Sequence, residues 1–308
     1  MTFRELLSRH SGNIAFIVGN GINRYQENPD SISWNQLLLR LWQRFAPNVF
    51  ESVPQGITIT EFYDLLDLAN QENPTLPYEI QKEAARLLNG SCGQNHHRAF
   101  MQKARELNAP VLTTNFDLIL AEELRLQLYN MDSSKFTDFY PWSSYYNDHL
   151  INDPADSFAL WFVNGFIKYP RSIRLGLSHY MGSVTKAREY LHKGTDANLF
   201  NGKDRHLWPG YRTWLHIIFN KDLCIFGLGL EENEVFIRWL LIERAKYFRM
   251  FPERRRLGWY VAPRIEQPDD RIVGKHYFLN SIGFELIETR DYDEIYRDAW
   301  GLIHNNYE

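Results

Sequence analysis

The 308-residue chain has room for one large domain or two small ones at roughly 100–200 residues per domain, and its 44% hydrophobic and 23% charged content is that of a folded globular protein. This composition argues against disorder, collagen-like repeats and coiled-coil rods. A net charge of −4, from 34 Lys and Arg against 38 Asp and Glu, supplies no global attraction for nucleic acid or an anionic membrane.

The first residues, MTFRELLSRHSGN, are polar with a helical pattern and lack the apolar stretch of a signal peptide. No later run approaches the ~18 apolar residues that span a bilayer, so a soluble cytoplasmic protein with no membrane partner is expected. Asn13–Val18 reads as a buried strand ending in Gly19-Asn20-Gly21. Ser33 is placed to cap a helix from Trp34, where Trp34, Leu37, Leu38, Leu41, Trp42 and Phe45 recur at helical spacing. Residues 47–110 carry more helical patterns, Tyr78–Leu88 and His96–Leu107, punctuated by Pro47, Pro54, Pro74 and Pro77, and are expected to form a helical insertion. Pro110–Thr114 predicts a second strand, leading through Asn115-Phe116-Asp117 to a helix over Leu118–Leu128. Phe158–Val163 predicts a strand ending at Asn164-Gly165, followed by a strand at Ile173–Leu177 and a helix at Tyr180–Leu191. Leu223–Phe226 predicts a strand ending in Gly227-Leu228-Gly229-Leu230, with a long helix over Asn233–Phe251 behind it. Gly258–Val261 and Phe284–Ile287 complete the strands, in a C-terminal extension at about 252–308.

Strands alternating with helices indicate an α/β fold, a Rossmann-like, doubly wound parallel sheet in a single domain, and no repeat or flexible linker divides it. Such sheets bind ligands beyond the carboxyl ends of their strands, where strand order reverses. Parallel strands would bring four turns to that edge: Gly19–Asn23, Thr113–Asp117, Asn164-Gly165 and Gly227–Leu230. The first is either an ordinary tight turn or a site where backbone N–H groups approach a phosphate, since glycine leaves room for a ligand. A dehydrogenase arrangement is disfavoured, because the strand and ribose-binding acid expected ~20 residues later are replaced by the helical LLLRLWQRF. In the second turn the Asn115 carboxamide can bind a ribose hydroxyl or position a water, while Asp117 either orients that amide or caps the next helix.

GNGIN at 19–23 with Trp34 after it, TTNFD at 113–117, WFVNGFIKYPRSIRLGLSHY at 161–180 and FGLGLEENE at 226–234 together resemble the sirtuin-like superfamily of NAD-binding domains. The similarity is to the bacterial branch found in antiphage defence proteins, and it extends over roughly residues 13–250. It implies a Rossmann-like sheet with a helical module, and an NAD+ glycohydrolase that depletes NAD during infection. Matching positions imply that Gly19, Asn20, Gly21 and Asn23 line the phosphates and ribose, with Thr114 and Gly165 beside them. Asn115 would be the catalytic asparagine, supported by Asp117, and Gly227 and Gly229 would pass beneath the adenosine half.

Two departures from the family pattern matter. With only two cysteines, Cys92 and Cys224, the chain cannot build the four-cysteine zinc ribbon of the deacetylating sirtuins, so deacetylation is not expected. Where the family commonly has His before glycine, this chain has Asn164-Gly165, and a carboxamide takes up no proton at neutral pH. His179 is the candidate substitute, against its reading as a hydrogen-bonded structural residue. Because the leaving group is a cationic pyridinium that needs no protonation, preorganised polar groups and a positioned water suffice for cleavage. A non-catalytic NAD or ADP-ribose sensor, or a scaffold subunit, is the rival reading. A freely running NADase would kill its host, so a homo-oligomer or a separate activating protein is expected as the switch. The Arg254-Arg255-Arg256 cluster reads as a solvated loop rather than a nucleic-acid contact, and Trp239 and Trp300 as core or interface. His96 and His97 point about 100° apart on a helix and predict no metal site.

Overall fold

Thr2 accepts a hydrogen bond from the Glu5 amide and Glu5 accepts one from the Thr2 amide, a capping box that starts α1 (Phe3–Arg9). The computed structural model describes residues 1–28, 31–46, 49–70, 78–192, 198–201, 204 and 206–302. Pro47, Pro74 and Pro77, read above as punctuation, and residues 303–308 of the expected extension lie outside them. The chain continues through β1 (Ile14–Val18), α2 (Gly21–Arg24), α3 (Trp34–Phe45), α4 (Ile59–Asn70), α5 (Glu79–Leu88) and α6 (Asn95–Glu106). Next come β2 (Val111–Thr113), α7 (Ile119–Glu123), β3 (Gln127–Asn130), β4 (Ser144–Asn147), β5 (Leu160–Phe162), α8 (Leu177–Leu191) and α9 (Leu215–Asn220). The last elements are β6 (Asp222–Phe226), α10 (Val235–Met250), β7 (Gly258–Pro263), α11 (Asp270–Ser281), β8 (Glu285–Thr289) and α12 (Tyr292–Tyr296).

The strands form one mixed sheet in the order β3-β4-β5-β2-β1-β6-β7-β8. The six from β5 to β8 in this order are parallel, while β4 runs antiparallel to both β3 and β5. β1 is wholly buried and splits its side chains between two cores. Ile14, Phe16 and Val18 face one with Phe100, Phe226 and Trp300, whereas Ala15 and Ile17 face the other with Trp161, Trp214 and Leu240. Burial on both faces is why its sequence is a continuous apolar run without alternation. From β1 the chain crosses to β2, passes to the far edge at β3 and comes back inward through β4 to β5 beside β2, then places β6 on the other side of β1. The carboxyl ends of β1 and β6 therefore flank the point where strand order reverses.

The helices α3, α4 and α5 enclose a third core beside the sheet. Ser33 and Gln36 form the capping box that starts α3. Trp42 stacks on Phe62 at 4.9 Å and donates its indole N–H to the Phe62 carbonyl at 3.1 Å. α6 instead packs Phe100, Met101 and Ala104 against the sheet.

Two expectations are corrected. Ile173–Leu177 is not a strand: Ile173 and Leu175 are fully buried in the third core, so alternate apolar residues there fill a helical module rather than pair in a ladder. The helix expected over Leu118–Leu128 ends at Glu123, because Arg125 takes a left-handed φ of 53° and Gln127–Asn130 pairs with β4 as an edge hairpin. The extension expected from about 252 adds two strands to the sheet, since β7 and β8 extend its parallel ladder from β6. Among the described residues, no helix is long and apolar enough to cross a membrane.

Candidate functional site

A cavity of about 610 Å³ opens over the carboxyl ends of the parallel strands, within the range of about 300–1,000 Å³ typical of small-molecule sites. β1 contributes Asn20 and Gly21, β2 contributes Thr114, Asn115 and Asp117, β5 contributes Asn164, and β6 contributes Gly227, Gly229 and Glu234. All four predicted turns thus meet in one cleft. Trp34 and Leu37 of the helical module and Tyr180 of α8 wall one side. Tyr260, Lys275, Tyr292 and Tyr296 wall the other.

The glycines act first through close backbone packing. A Cβ on Gly19 would lie 2.6 Å from the Gly227 carbonyl oxygen, and one on Gly21 would lie 2.8 Å from the Gly227 Cα and 2.5 Å from the Tyr296 hydroxyl. Only glycine lets the β1 and β6 turns touch. Gly19 and Gly165 do not line the cavity themselves.

Behind Asp117 runs a buried hydrogen-bond relay. The Gln94 amide donates to His97 Nδ1 at 2.9 Å, which leaves the proton on Nε2 facing Asn23 Oδ1 at 3.1 Å. The Asn23 amide then donates to Asp117 Oδ2 at 2.8 Å and to Asn20 Oδ1 at 3.1 Å. Asp117 Oδ1 accepts the Ile119 amide at 3.1 Å, so this carboxylate holds both Asn23 and the first residue of α7, whose N-cap is Leu118. Burial raises the Asp117 carboxyl to about 6, with the Ile119 and Asn23 bonds pulling it back. Burial lowers His97 to about 3, so the relay keeps a neutral imidazole at neutral pH. His96 faces the Ile22 carbonyl at 2.8 Å, so the two histidines serve different partners.

Replacing His97 with alanine is expected to cost about 1–3 kcal/mol, because Asn23 Oδ1 loses its only donor among the contacts described and the Gln94 amide loses its acceptor. Urea denaturation checks this; a variant within 0.5 kcal/mol of the parent would show that the relay holds nothing in place.

Asn115 is 6% exposed and anchored by its amide N–H to Thr113 Oγ1 at 3.1 Å, yet its side-chain Nδ2 has no hydrogen-bond partner. Asn164 Oδ1, Trp34 Nε1 and Glu234 Oε2 are likewise buried without a partner. Four residues lining one cleft therefore leave a polar atom unsatisfied, at a cost of about 1–3 kcal/mol each unless something binds them. Glu234 was not singled out from the sequence, where it stands in an acidic stretch ahead of α10.

His179 is not on the cavity wall. Its Nδ1 faces the Leu175 and Gly176 amides at 3.3 and 3.4 Å, its Nε2 faces Gln81 at 3.4 Å, and its ring packs on Tyr63. Burial and the nearby Arg174 guanidinium lower it to about 4. These contacts commit it to the start of α8. Arg174 is 2% exposed, held between the Phe139 and Tyr140 rings, and its backbone N–H donates to the Asn164 carbonyl at 3.0 Å.

Among the described residues, Asp153, His206 and His216 form the one group spaced to hold a metal ion, and none of them lines the cleft. The Trp208 indole donates to His216 Nδ1 at 3.3 Å, which puts the imidazole proton on the Nε2 that faces Asp153. A cation there would have to displace that proton.

No family model and no curated protein gives a significant match to this chain.

Proposed function

We propose that this protein is an NAD+ glycohydrolase built on a Rossmann-like, doubly wound sheet, cleaving NAD+ to nicotinamide and ADP-ribose. The observation that carries the reading is the cleft at the strand-order reversal, where Asn115 and Asn164 each hold an unpartnered carboxamide atom. The cleft is lined by residues that follow five adjacent strands, from Asn164 after β5 to Ala262 and Pro263 of β7, an arrangement that suits an elongated dinucleotide lying across the strand ends. Its aromatic wall of Tyr260, Tyr292 and Tyr296 suits a base, Lys275 and Arg24 supply positive charge for a pyrophosphate, and the Asn115 carboxamide suits a ribose hydroxyl or water. Antiphage defence by NAD depletion, triggered by assembly or by a separate chain, is the setting that the sequence resemblance implies for this activity.

A second reading rests on Asn164, which cannot accept a proton: a nucleotide sensor that binds without turnover. Incubating the purified protein with NAD+ and separating the products by liquid chromatography, with calorimetry alongside, discriminates the two. Nicotinamide and ADP-ribose in equal amounts are expected. Binding without products would favour the sensor, and neither binding nor products would remove both.

A further inference from the structure

We infer that Glu234 is the proton acceptor of this cleft, taking the proton of the water that attacks the ribose C1′ of the bound nucleotide. The inference rests on the glycohydrolase reading and supplies the basic group that Asn164 cannot be.

The position of Glu234 follows from the turn after β6. Leu230 takes a left-handed φ of 49°, which folds Gly227–Leu230 back and sets Glu234 at the N-cap of α10. The backbone of Glu234 is fully engaged, its N–H donating to the Glu231 carbonyl at 2.9 Å and its own carbonyl receiving Arg238 at 3.1 Å. Its side chain lies on the cavity wall with Oε2 buried and unpartnered.

The nearest cations do not neutralise it. Arg238, one helical turn on, donates its guanidinium to the Leu230 carbonyl at 2.8 Å and stacks on Phe278. Lys275 donates to the Gly229 carbonyl at 3.2 Å and lies 3.8 Å from Glu231. Tyr180 from α8 and Tyr260 from β7 face the carboxyl as neutral phenols, the latter donating to the Leu228 carbonyl at 2.8 Å. Burial, reinforced by Glu231, raises the Glu234 carboxyl to about 8, while the Leu230 amide, Lys275 and Arg238 pull it back. A carboxyl so tuned exchanges a proton near neutral pH, the property a general base requires.

The step balances without a further reactant. The C1′–N1 bond breaks with its electron pair passing to the ring nitrogen, which discharges the pyridinium. The water oxygen bonds to C1′ as its proton passes to the Glu234 carboxylate, and that proton then leaves to solvent.

The test is Glu234→Gln, measured for nicotinamide release from pH 5.5 to 9 and for NAD+ binding by calorimetry. Wild type is expected to gain up to tenfold per pH unit until about pH 8 and then level, because the base works only when deprotonated. The variant is expected to bind NAD+ within about threefold of wild type while losing about 10²–10⁴-fold in turnover and the limb below pH 8. Its melting temperature at pH 8 should equal or exceed that of wild type, since the amide removes a buried charge, and this shows that lost turnover is not misfolding. Turnover and pH limb unchanged in the variant would overturn the role of Glu234 and leave the glycohydrolase reading standing. Loss of NAD+ binding in the variant would overturn it in favour of a binding role. A wild-type protein that binds NAD+ without cleaving it would overturn both.

Discussion

Asn115→Ala is expected to lower nicotinamide release by about 10²–10³-fold, the loss typical of removing one preorganised polar group from a reacting centre. The expectation comes from what the carboxamide does not do. Asn115 sits on the Thr113 hydroxyl through its backbone N–H, but its buried Nδ2 donates to nothing in the protein. A group held in place without a partner contributes no hydrogen bond to the fold, and its desolvation is a cost. The alanine variant should therefore melt at the same temperature as wild type or slightly higher. This pairing of outcomes separates Asn115 from His97, whose loss is expected to weaken the fold as well. Nicotinamide release and thermal melting on the same preparation check it. Turnover within threefold of wild type would remove Asn115 from the chemistry, and a large fall in melting temperature would make its role structural.

The strands that carry the cleft were legible because they are buried on both faces. NIAFIV and LCIF have no polar face to present, and each is bounded by a glycine turn, so periodicity and punctuation agree. The four turns follow from the strands, and with them Asn20, Gly21, Thr114, Asn115, Asp117, Asn164, Gly227 and Gly229 on the cavity wall. What escaped the sequence depends on contacts between distant segments. The β3–β4 hairpin is set by pairs such as Tyr129 with Tyr145, and LRLQLYN alone fits a helix as well as an edge strand. Ile173 and Leu175 show the reverse case, since their alternation reflects burial under α3 to α5. Glu234 was hidden because an acid ahead of a long helix is expected on dipole grounds alone. The left-handed turn at Leu230 accompanies a carboxyl oxygen that is out of solvent although the residue is only half-buried. Gly165 was expected beside the ligand, yet what demands glycine there is Ser172, seven residues on, which no local pattern announces.

Gly165→Ala is expected to cost about 2–5 kcal/mol. Two penalties combine. Gly165 has φ of 84°, a left-handed conformation that costs an L side chain about 1–2 kcal/mol. The added Cβ would also lie 2.0 Å from the Ser172 carbonyl oxygen and 2.5 Å from its hydroxyl, an overpacking worth typically about 1–3 kcal/mol. Ser172 cannot simply withdraw, because its hydroxyl accepts the Phe166 amide at 3.0 Å and donates to the Tyr169 carbonyl at 2.6 Å. The loop from 166 to 172 would have to open, and with it the bond from the Arg174 amide to the Asn164 carbonyl that fixes the predicted site residue. Gly274→Ala is the matched control. Gly274 is exposed inside α11, where a Cβ meets nothing within 4 Å, so alanine there should stabilise by about 0.5–1 kcal/mol. Urea denaturation of the two variants checks both signs. A Gly165→Ala protein as stable as its Gly274→Ala counterpart would mean that the turn after β5 relaxes freely, and Asn164 would then lose its claim to a preorganised position. If the expected order holds, the residual turnover of Gly165→Ala at a temperature where it remains folded reports how much the reaction depends on the exact seat of Asn164.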